Sequence, residues 1–332
     1  MSPPGTTVRR FLSGVQPSGK LHLGNYFGAV KQHIALQDEG DAFYFIADYH
    51  ALTTIQDPRQ LRENTRDVAM DYLALGLDPA KCVFFRQSDV PQVTELSWIL
   101  STVTNKGLME RAVSYKEKVD KGIDASVGLF TYPILMAADI LIYRSHCVPV
   151  GKDQVQHIEM TQDIAGRFNR AYADVFPIPT YRLDTYSKVP GTDGQKMSKS
   201  YGNTIDIFAE GKPLEKVVKG IVTDSKTVAE PKDPQTCNVF ALYGLFASEE
   251  DKQLLAARYR QGGMGYGEAK KLLLEKIESN FADARQKRKG LQERPHYVED
   301  VLRAGAAKAS SEAETTMALV REAVGFLPRI SS

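Results

Sequence analysis

Residues 8–25 of the chain read VRRFLSGVQPSGKLHLGN, and this stretch decides the fold. It begins with a predicted β-strand over residues 8–12, continues through a loop with glycines at positions 14, 19 and 24, and leads into residues 25–39 with helical apolar spacing. A strand, a glycine-rich loop and a helix N-terminus together place free backbone N–H groups and the positive end of the helix dipole against phosphate. The stretch therefore predicts a nucleotide site, although its spacing is not the GxGxxG of dinucleotide-binding loops.

His22 is the candidate catalytic side chain of this loop. An imidazole here can donate a hydrogen bond to a phosphate oxygen as negative charge builds on it during a displacement. Two plainer interpretations remain open on these residues alone: a glycine-rich loop that is only structural, and a histidine that is only packed.

The rest of the amino-terminal half continues the same alternation of strands and helices. This alternation up to about residue 182 is typical of a doubly wound α/β fold with a parallel sheet. Further strands are predicted over residues 42–47, 83–86 and 147–150, and helices over residues 58–75, 93–103 and 126–143. Asp57 and Pro58 fit an N-cap followed by a first-turn proline.

Beyond about residue 206 the sequence predicts helices and no further strand. The helices are expected over residues 213–223, 238–247, 249–261, 266–294 and 297–324. We therefore expect two domains, a catalytic domain over residues 1–202 and a smaller all-helical domain over residues 203–332. The last helix of the second domain is expected to pack back on the catalytic domain. Residues 252–303 carry twelve Lys or Arg against seven Asp or Glu, which is either a phosphate-facing surface or a solvated helix face.

Composition is that of an ordinary globular protein. The 332 residues are 42% hydrophobic and 25% charged, with a formal net charge of +1, so bulk charge predicts neither DNA nor an anionic membrane as a partner. No apolar stretch is long enough to span a bilayer and no secretory signal is evident, so we expect a cytoplasmic protein. Cys82, Cys147 and Cys237 lack metal-site spacing and are predicted to be small buried hydrophobic residues. We predict no protein-bound metal.

A second cluster of candidate residues lies at 196–200, Lys196-Met197-Ser198-Lys199-Ser200, in the loop between the two predicted domains. Two lysines three residues apart suit a clamp on a polyphosphate, because ammonium groups offset the charge that moves onto departing pyrophosphate. Taken alone, the cluster is equally a solvated linker.

Together, the HxGN of residues 22–25 and this KMSKS resemble the paired ATP signatures of class I aminoacyl-tRNA synthetases. Residues 13–26 and the run GKDQVQHIE at 151–159 are similar to the tryptophanyl-tRNA synthetase family, and the resemblance covers nearly the whole chain. It implies a Rossmann-like catalytic domain that binds ATP, with Mg²⁺ carried on the phosphates, and activates L-tryptophan for transfer to tRNA(Trp). It also implies a homodimer and a helical domain that contacts the tRNA anticodon.

The resemblance assigns site residues by position. Those implied to act in catalysis are His22, Lys116, Lys196 and Lys199. Those implied to bind ATP are Gln16, Pro17, Ser18, Gly24, Asn25, Gly151, Lys152, Asp153, Val189, Lys196, Met197, Ser198, Lys199 and Ser200. Those implied to bind tryptophan are Tyr132, Met136, Asp139, Gln154 and His50.

Spacing supports the amino-acid pocket independently. Tyr132, Met136 and Asp139 fall at i, i+4 and i+7, on one face of a predicted helix. A buried carboxylate needs a donor, and an indole N–H is a fitting one, although a lysine, an arginine or a backbone amide would also serve. We expect a substrate without that N–H to leave Asp139 unpaired, which rejects it strongly. The rival functions are a tyrosyl-tRNA synthetase and a catalytically silent paralogue that binds tRNA or protein.

Overall fold

The computed structural model describes residues 9–112, 126–183 and 189–328. Within these ranges five parallel strands form one sheet in the order β3-β2-β1-β4-β5. The strands are β1 (Arg10–Val15), β2 (Asp41–Ile46), β3 (Cys82–Arg86), β4 (Cys147–Val150) and β5 (Thr180–Leu183). The predicted doubly wound parallel sheet is therefore confirmed, with its order reversing between β1 and β4.

Two differences from the expected strands have simple physical reasons. β1 runs to Val15, so that Gly14 belongs to the strand and not to the loop; its Cα sits so close to the Phe45 ring that an added Cβ would lie 2.5 Å from it. β5 was not predicted, because it has only four residues, all exposed at a sheet edge, and the alternation of Tyr181 and Leu183 with polar neighbours is too short to be distinctive.

Helices surround the sheet and make up the carboxyl-terminal part. In chain order they are α1 (Leu23–Asn25), a π-helix (Tyr26–Val30), α2 (Lys31–Leu36), α3 (Asp48–Ala51), α4 (Pro58–Leu75), α5 (Gln92–Val103), α6 (Lys106–Glu110), α7 (Val127–Ile142), α8 (Val155–Ala171), α9 (Gly211–Lys219), α10 (Asn238–Tyr243), α11 (Glu249–Gln261), α12 (Tyr266–Gln292) and α13 (Pro295–Ala323).

Most helices begin and end within a few residues of the expected positions. Asp57 caps α4 as expected, with its side chain accepting the Arg59 N–H at 2.8 Å. The main correction concerns residues 25–39, where a five-residue π-helix separates two short α-helices. Residues 295–296 also belong to α13, because Pro295 occupies a first-turn position that needs no N–H donor.

The last two helices pack against the amino-terminal part of the chain. α13 lies directly on the edge strand β3, and at Gly305 the approach is so close that a Cβ would lie 1.9 Å from the Phe84 carbonyl oxygen. α12 packs on α4, where Arg288 donates to the buried Asp71 at 2.5 Å and to Asp67 at 2.8 Å. Helix α13 thereby covers the β3 edge of the sheet, which would otherwise be exposed.

The predicted burial of all three cysteines is confirmed, and each is a free thiol. In the parts of the chain that the structure describes, no helix combines the length and the apolar character needed to cross a membrane.

Candidate active site

A cavity of about 480 Å³ opens at the carboxyl ends of β1 and β4, where the strand order reverses. Its position follows from topology, because the crossovers on either side of this point leave a crevice above the sheet. β1 and β4 pair at Phe11 and Cys147, and Pro149 further along β4 has no N–H with which to pair. The predicted site residues in its wall are Gln16, His50, Tyr132, Met136, Asp139, Gly151 and Gln154.

Helix α7 supplies the inner wall of this cavity. Its sequence is almost entirely apolar, so most of the helix is buried, and Ser126 caps its first turn. Tyr132, Met136 and Asp139 all line the cavity, as their shared helical face predicts. Asp139 is only 3% exposed, so an acidic side chain lies at the buried end of an apolar wall.

The Asp139 carboxylate already has two side-chain donors. His50 Nε2 lies 2.8 Å from Asp139 Oδ2, and the Gln87 amide nitrogen donates to Oδ1 at 2.8 Å and to Oδ2 at 3.0 Å. The expectation that a substrate without an N–H leaves Asp139 unpaired is therefore wrong. The alternative expectation, that a lysine, an arginine or a backbone amide donates to Asp139, is also wrong for the part of the chain that the structure describes. An indole N–H would be an additional donor to an acceptor that is already in place.

Burial and hydrogen bonding oppose each other at Asp139. Burial raises the pKa of this carboxyl above its ordinary value, and the hydrogen bonds from His50 and Gln87 counter that rise. The two donors therefore favour the ionised form, which is the form that accepts a ring N–H.

Tyr132 connects the cavity to the GKDQVQH run. Its hydroxyl lies 2.7 Å from Nε2 of His157 in α8, and the two rings meet edge to face. Burial lowers the pKa of His157, so its imidazole is neutral at pH 7. A neutral His157 can accept a hydrogen bond from the Tyr132 hydroxyl at Nε2, and the Tyr132 oxygen can itself act as an acceptor towards an ammonium group in the cavity.

The first signature loop passes directly from β1 into α1. Pro17 is buried, whereas Gln16 and Ser18 are exposed, and Gly19 has φ = +97°, a conformation that favours glycine. His22 precedes α1, and its backbone N–H donates to Asn25 Oδ1 at 3.1 Å. The loop thus turns sharply between the sheet and the helix, as a phosphate-binding loop requires.

The KMSKS segment lies against this loop. Lys199 Nζ donates to the Ser18 carbonyl at 2.9 Å and lies 3.3 Å from its hydroxyl. Met197 is buried, with its sulfur 3.3 Å from the Gly24 nitrogen, and the following backbone pairs with the first loop through Leu23 and Ile205. Two segments some 180 residues apart are therefore joined, with both signatures facing one region.

His22 lies at the centre of this contact. Burial, together with the Lys199 ammonium, lowers the pKa of His22 to about 4, so the ring is neutral at pH 7. Its Nδ1 atom is buried and has no hydrogen-bond partner among the residues that the structure describes. A neutral imidazole with an unused nitrogen can still form a hydrogen bond to a phosphate oxygen.

The other predicted nucleotide residues occupy different positions. Lys152 and Asp153 are exposed on the turn after β4, and Lys196 and Ser200 are exposed on the KMSKS segment. Ser198 donates its backbone N–H to Asn203 Oδ1, and its hydroxyl lies 2.8 Å from that of Ser200. Val189 is buried in the core and accepts the Met197 N–H through its carbonyl. Lys116 lies outside the described residues.

Sequence reasoning missed two residues that support these groups. Gln87, at the end of β3, holds Asp139, and its only sequence signal is a polar residue directly after a buried strand. Asn203 is buried and donates to Asp193 Oδ1 at 2.7 Å and to the Lys196 carbonyl at 3.2 Å. Its signal was its position three residues after the KMSKS sequence.

Comparisons with known proteins agree with the geometry. The family model described as tRNA synthetases class I (W and Y) matches residues 6–282, and the chain belongs to this family. The chain is therefore an aminoacyl-tRNA synthetase of class I.

The amino acid is indicated by individual relatives. The chain is 53% identical to a tryptophan–tRNA ligase from Rhodopirellula baltica, over 96% of this chain and 99% of that one. It is 52% identical to one from Fusobacterium nucleatum, over 97% and 100% of the two chains. A tryptophanyl-tRNA synthetase from Campylobacter jejuni, solved in complex with ADP and tryptophan, is 49% identical with a TM-score of 0.90 and covers 96% and 100%. These similarities support tryptophan and not the tyrosine alternative.

Proposed function

We propose that this chain activates L-tryptophan with ATP and transfers it to the 3′ end of tRNA(Trp). The observation that carries the proposal is the contact between Lys199 and Ser18, because it joins the two ATP signatures beside a cavity that contains a buried carboxylate. The similarity to tryptophan–tRNA ligases over nearly the whole length of both chains supports the same reaction.

In the first step the tryptophan carboxylate attacks the α-phosphorus of ATP. A carboxylate oxygen–phosphorus bond forms, the bond to the bridging oxygen of the β-phosphate breaks, and pyrophosphate leaves with its electrons. The substrate carboxylate is already a nucleophile, so the protein acts by positioning and by charge stabilisation. We assign Lys116, Lys196 and Lys199 to the departing pyrophosphate and the neutral His22 to a phosphate oxygen.

In the second step the terminal ribose hydroxyl of the tRNA attacks the carbonyl carbon of tryptophanyl-adenylate. An ester bond forms between the ribose oxygen and that carbon, the bond from the carbon to the AMP phosphate oxygen breaks, and the hydroxyl proton passes to the departing AMP or to solvent. Neither step needs a Ser, Cys or His nucleophile.

The substrate sites divide along the cavity. We propose that tryptophan lies against Tyr132, Met136, Asp139, Gln154 and His50, and that adenosine lies over residues 151–153 and Val189. The triphosphate would follow residues 16–18, Gly24 and Asn25 to the KMSKS segment 196–200. The groups near that path are hydroxyl, imidazole and ammonium donors, a set that suits phosphates carrying their own Mg²⁺ and not an all-protein magnesium cage.

We propose residues 1–202 as the catalytic domain and residues 203–332 as the part that contacts the tRNA anticodon. The excess of basic residues over positions 252–303 supports this assignment, and such binding weakens steeply with salt. We also propose a homodimer, which the family implies, acting in the cytoplasm.

Pyrophosphate exchange into ATP tests the proposed activation step. We expect exchange that depends on tryptophan, followed by charging of tRNA(Trp) when the tRNA is supplied. Exchange with tyrosine and not with tryptophan would contradict the proposal, and no exchange with either would indicate a silent paralogue.

A further inference from the structure

Gln87 is a buried polar side chain beside the cavity that takes no part in the two proposed reaction steps. It follows β3, is 2% exposed, and contacts Asp139 on α7 through its amide nitrogen. Its amide oxygen accepts the Tyr49 N–H at 3.1 Å, an N–H that it shares with Asp48. One buried side chain therefore connects β3, α3 and the floor of the cavity.

These contacts fix the orientation of the Gln87 amide. With the oxygen bonded to the Tyr49 N–H, the nitrogen faces the Asp139 carboxylate. The flipped amide would place an oxygen against the carboxylate and an NH₂ group against an N–H, so both contacts would become repulsive. Gln87 is therefore a donor to Asp139, and an amide neither gains nor loses a proton between pH 5 and pH 9.

The donors are distributed unequally over the two carboxylate oxygens. Oδ2 accepts from both His50 and Gln87, whereas Oδ1 accepts from Gln87 alone among the described residues. A carboxylate oxygen can accept about two hydrogen bonds, so Oδ1 has the larger remaining capacity. The next donor to reach Asp139 from the cavity is expected at Oδ1.

We propose that Gln87 is a specificity-determining positioning residue, which holds the Asp139 carboxylate as a fixed acceptor and reserves Oδ1 for the ring N–H of the amino acid. The proposal rests on the proposed tryptophan function and adds which side chain keeps the Asp139 carboxylate oriented and ionised before the amino acid binds. Gln87 itself touches no substrate; it acts through Asp139. Because Asp139 is buried, loss of this donor favours its protonation, and a protonated carboxyl is a poorer acceptor.

The variants are Gln87→Met, which keeps the length of the side chain without the donor, and Gln87→Glu. KM and kcat in pyrophosphate exchange are measured for tryptophan and for 3-benzothienylalanine, in which sulfur replaces the ring N–H. For Q87M we expect the KM for tryptophan to rise about 10- to 100-fold with kcat little changed. The KM for the sulfur isostere should stay within about threefold, because it makes no hydrogen bond to Asp139.

The pH profiles of the two variants should run in opposite directions. In Q87M, where Asp139 has lost a donor that favours its ionised form, the KM for tryptophan should fall as the pH rises and Asp139 ionises. In Q87E, the introduced carboxyl group can donate as the amide does while it is protonated, so the KM should be lowest at low pH and rise as that group ionises. The other titratable groups around Asp139 are Asp48, His50, Tyr143 and, through His50, His157.

Gln92→Met is the matched control, because Gln92 lies five residues away on α5 and contacts Glu314, not the cavity. Equal losses for tryptophan and the isostere in Q87M, or unchanged values, would overturn the proposal. Should Q87M not fold, as judged by circular dichroism, a flat pH profile in Q87E would overturn it equally. Absence of tryptophan-dependent exchange in the unsubstituted chain would instead defeat the proposed function.

Discussion

The two ends of the candidate active site differ in how complete they are without substrate. At the amino-acid end, Asp139, His50 and Gln87 are buried and bonded to one another. At the nucleotide end, Lys196 and Lys199 are exposed, and the buried Nδ1 atom of His22 has no partner among the described residues. One end is held by core packing, and the other is formed by two loops.

This difference indicates how selection and catalysis are divided. A rigid acceptor can discriminate between amino acids because its geometry is fixed before binding. Exposed ammonium groups on loops can instead follow charge as pyrophosphate departs. We therefore expect substitutions at one end to change the kinetics of one substrate and to leave the other nearly unaffected.

The largest effect is expected for Lys199→Ala. Removing an ammonium that faces the triphosphate should lower kcat/KM for ATP about 10²- to 10³-fold in pyrophosphate exchange, by analogy with loss of a transition-state donor. Tryptophan affinity, measured by equilibrium titration without ATP, should change less than about twofold, because an ammonium that bonds the Ser18 carbonyl is not a ligand of tryptophan. Lys81→Ala, which removes a surface ion pair with Asp38, is the control. Equal losses in kcat/KM for ATP and in tryptophan affinity would contradict the division of the site into an amino-acid end and a nucleotide end.

Asp139→Asn should act at the other end. The uncharged amide is a weaker acceptor, so we expect the KM for tryptophan to rise about 10- to 100-fold while the KM for ATP is unchanged. The melting temperature should fall, because the new NH₂ group faces the His50 and Gln87 donors that the carboxylate accepts from. A variant that keeps its preference for tryptophan over the sulfur isostere would show that Asp139 is not the discriminating group.

His33 lines the same cavity and should make stability depend on pH. Burial lowers its pKa to about 4 from 6.5, so the unfolded chain binds more protons than the folded one between these values. The stability that this difference in pKa gives to the folded state is present above pH 6.5 and is lost as the pH falls towards 4. Between pH 7 and pH 5 we expect the free energy of unfolding to fall by roughly 2 kcal/mol more than in His33→Gln. The free energy of unfolding is measured by urea denaturation at both pH values. An equal loss between pH 7 and pH 5 in the two proteins would contradict this assignment.

The smallest effect is expected for Gly19→Ala, which strains the loop that holds Ser18. At φ = +97° a Cβ costs about 1 kcal/mol, and it would lie 3.8 Å from Lys199 Nζ. The KM for ATP should rise a few-fold, roughly in proportion to that strain. Gly76→Ala, at φ = +113° on the C-cap of α4, is the matched control and should reduce stability without changing that KM. A larger change for tryptophan than for ATP would argue against two separate ends.

How far the sequence predicts this fold depends on where the apolar residues lie. The strands β1 to β4 and most of the long helices were predicted because burial imposes a periodic pattern on them. The long helix α8 (Val155–Ala171) was missed. The edge strand β5 is exposed and too short for its alternation to stand out, and the π-helix Tyr26–Val30 has the same apolar spacing as an ordinary helix start. Contacts between distant segments, such as Gly305 on Phe84, leave no local signal.

The candidate site was predicted to the extent that it consists of contiguous motifs. The signatures at residues 22–25 and 196–200 were recognised together, as contiguous runs that resemble those of class I synthetases, and the helical face with Asp139 followed from its spacing. Gln87 and Asn203 could not, because each is a single polar residue whose role depends on a partner far away in the chain. The same limitation explains the error about Asp139, whose donors come from α3 and from the end of β3.

A crystal structure of this protein with tryptophan and a non-hydrolysable ATP analogue tests the central claim most directly. The account predicts Asp139 Oδ1 within hydrogen-bond distance of the indole nitrogen while Gln87 keeps its contact, and Lys199 Nζ moved from the Ser18 carbonyl to the phosphates. An indole nitrogen bonded elsewhere, or a Lys199 that stays remote from the nucleotide, would contradict it.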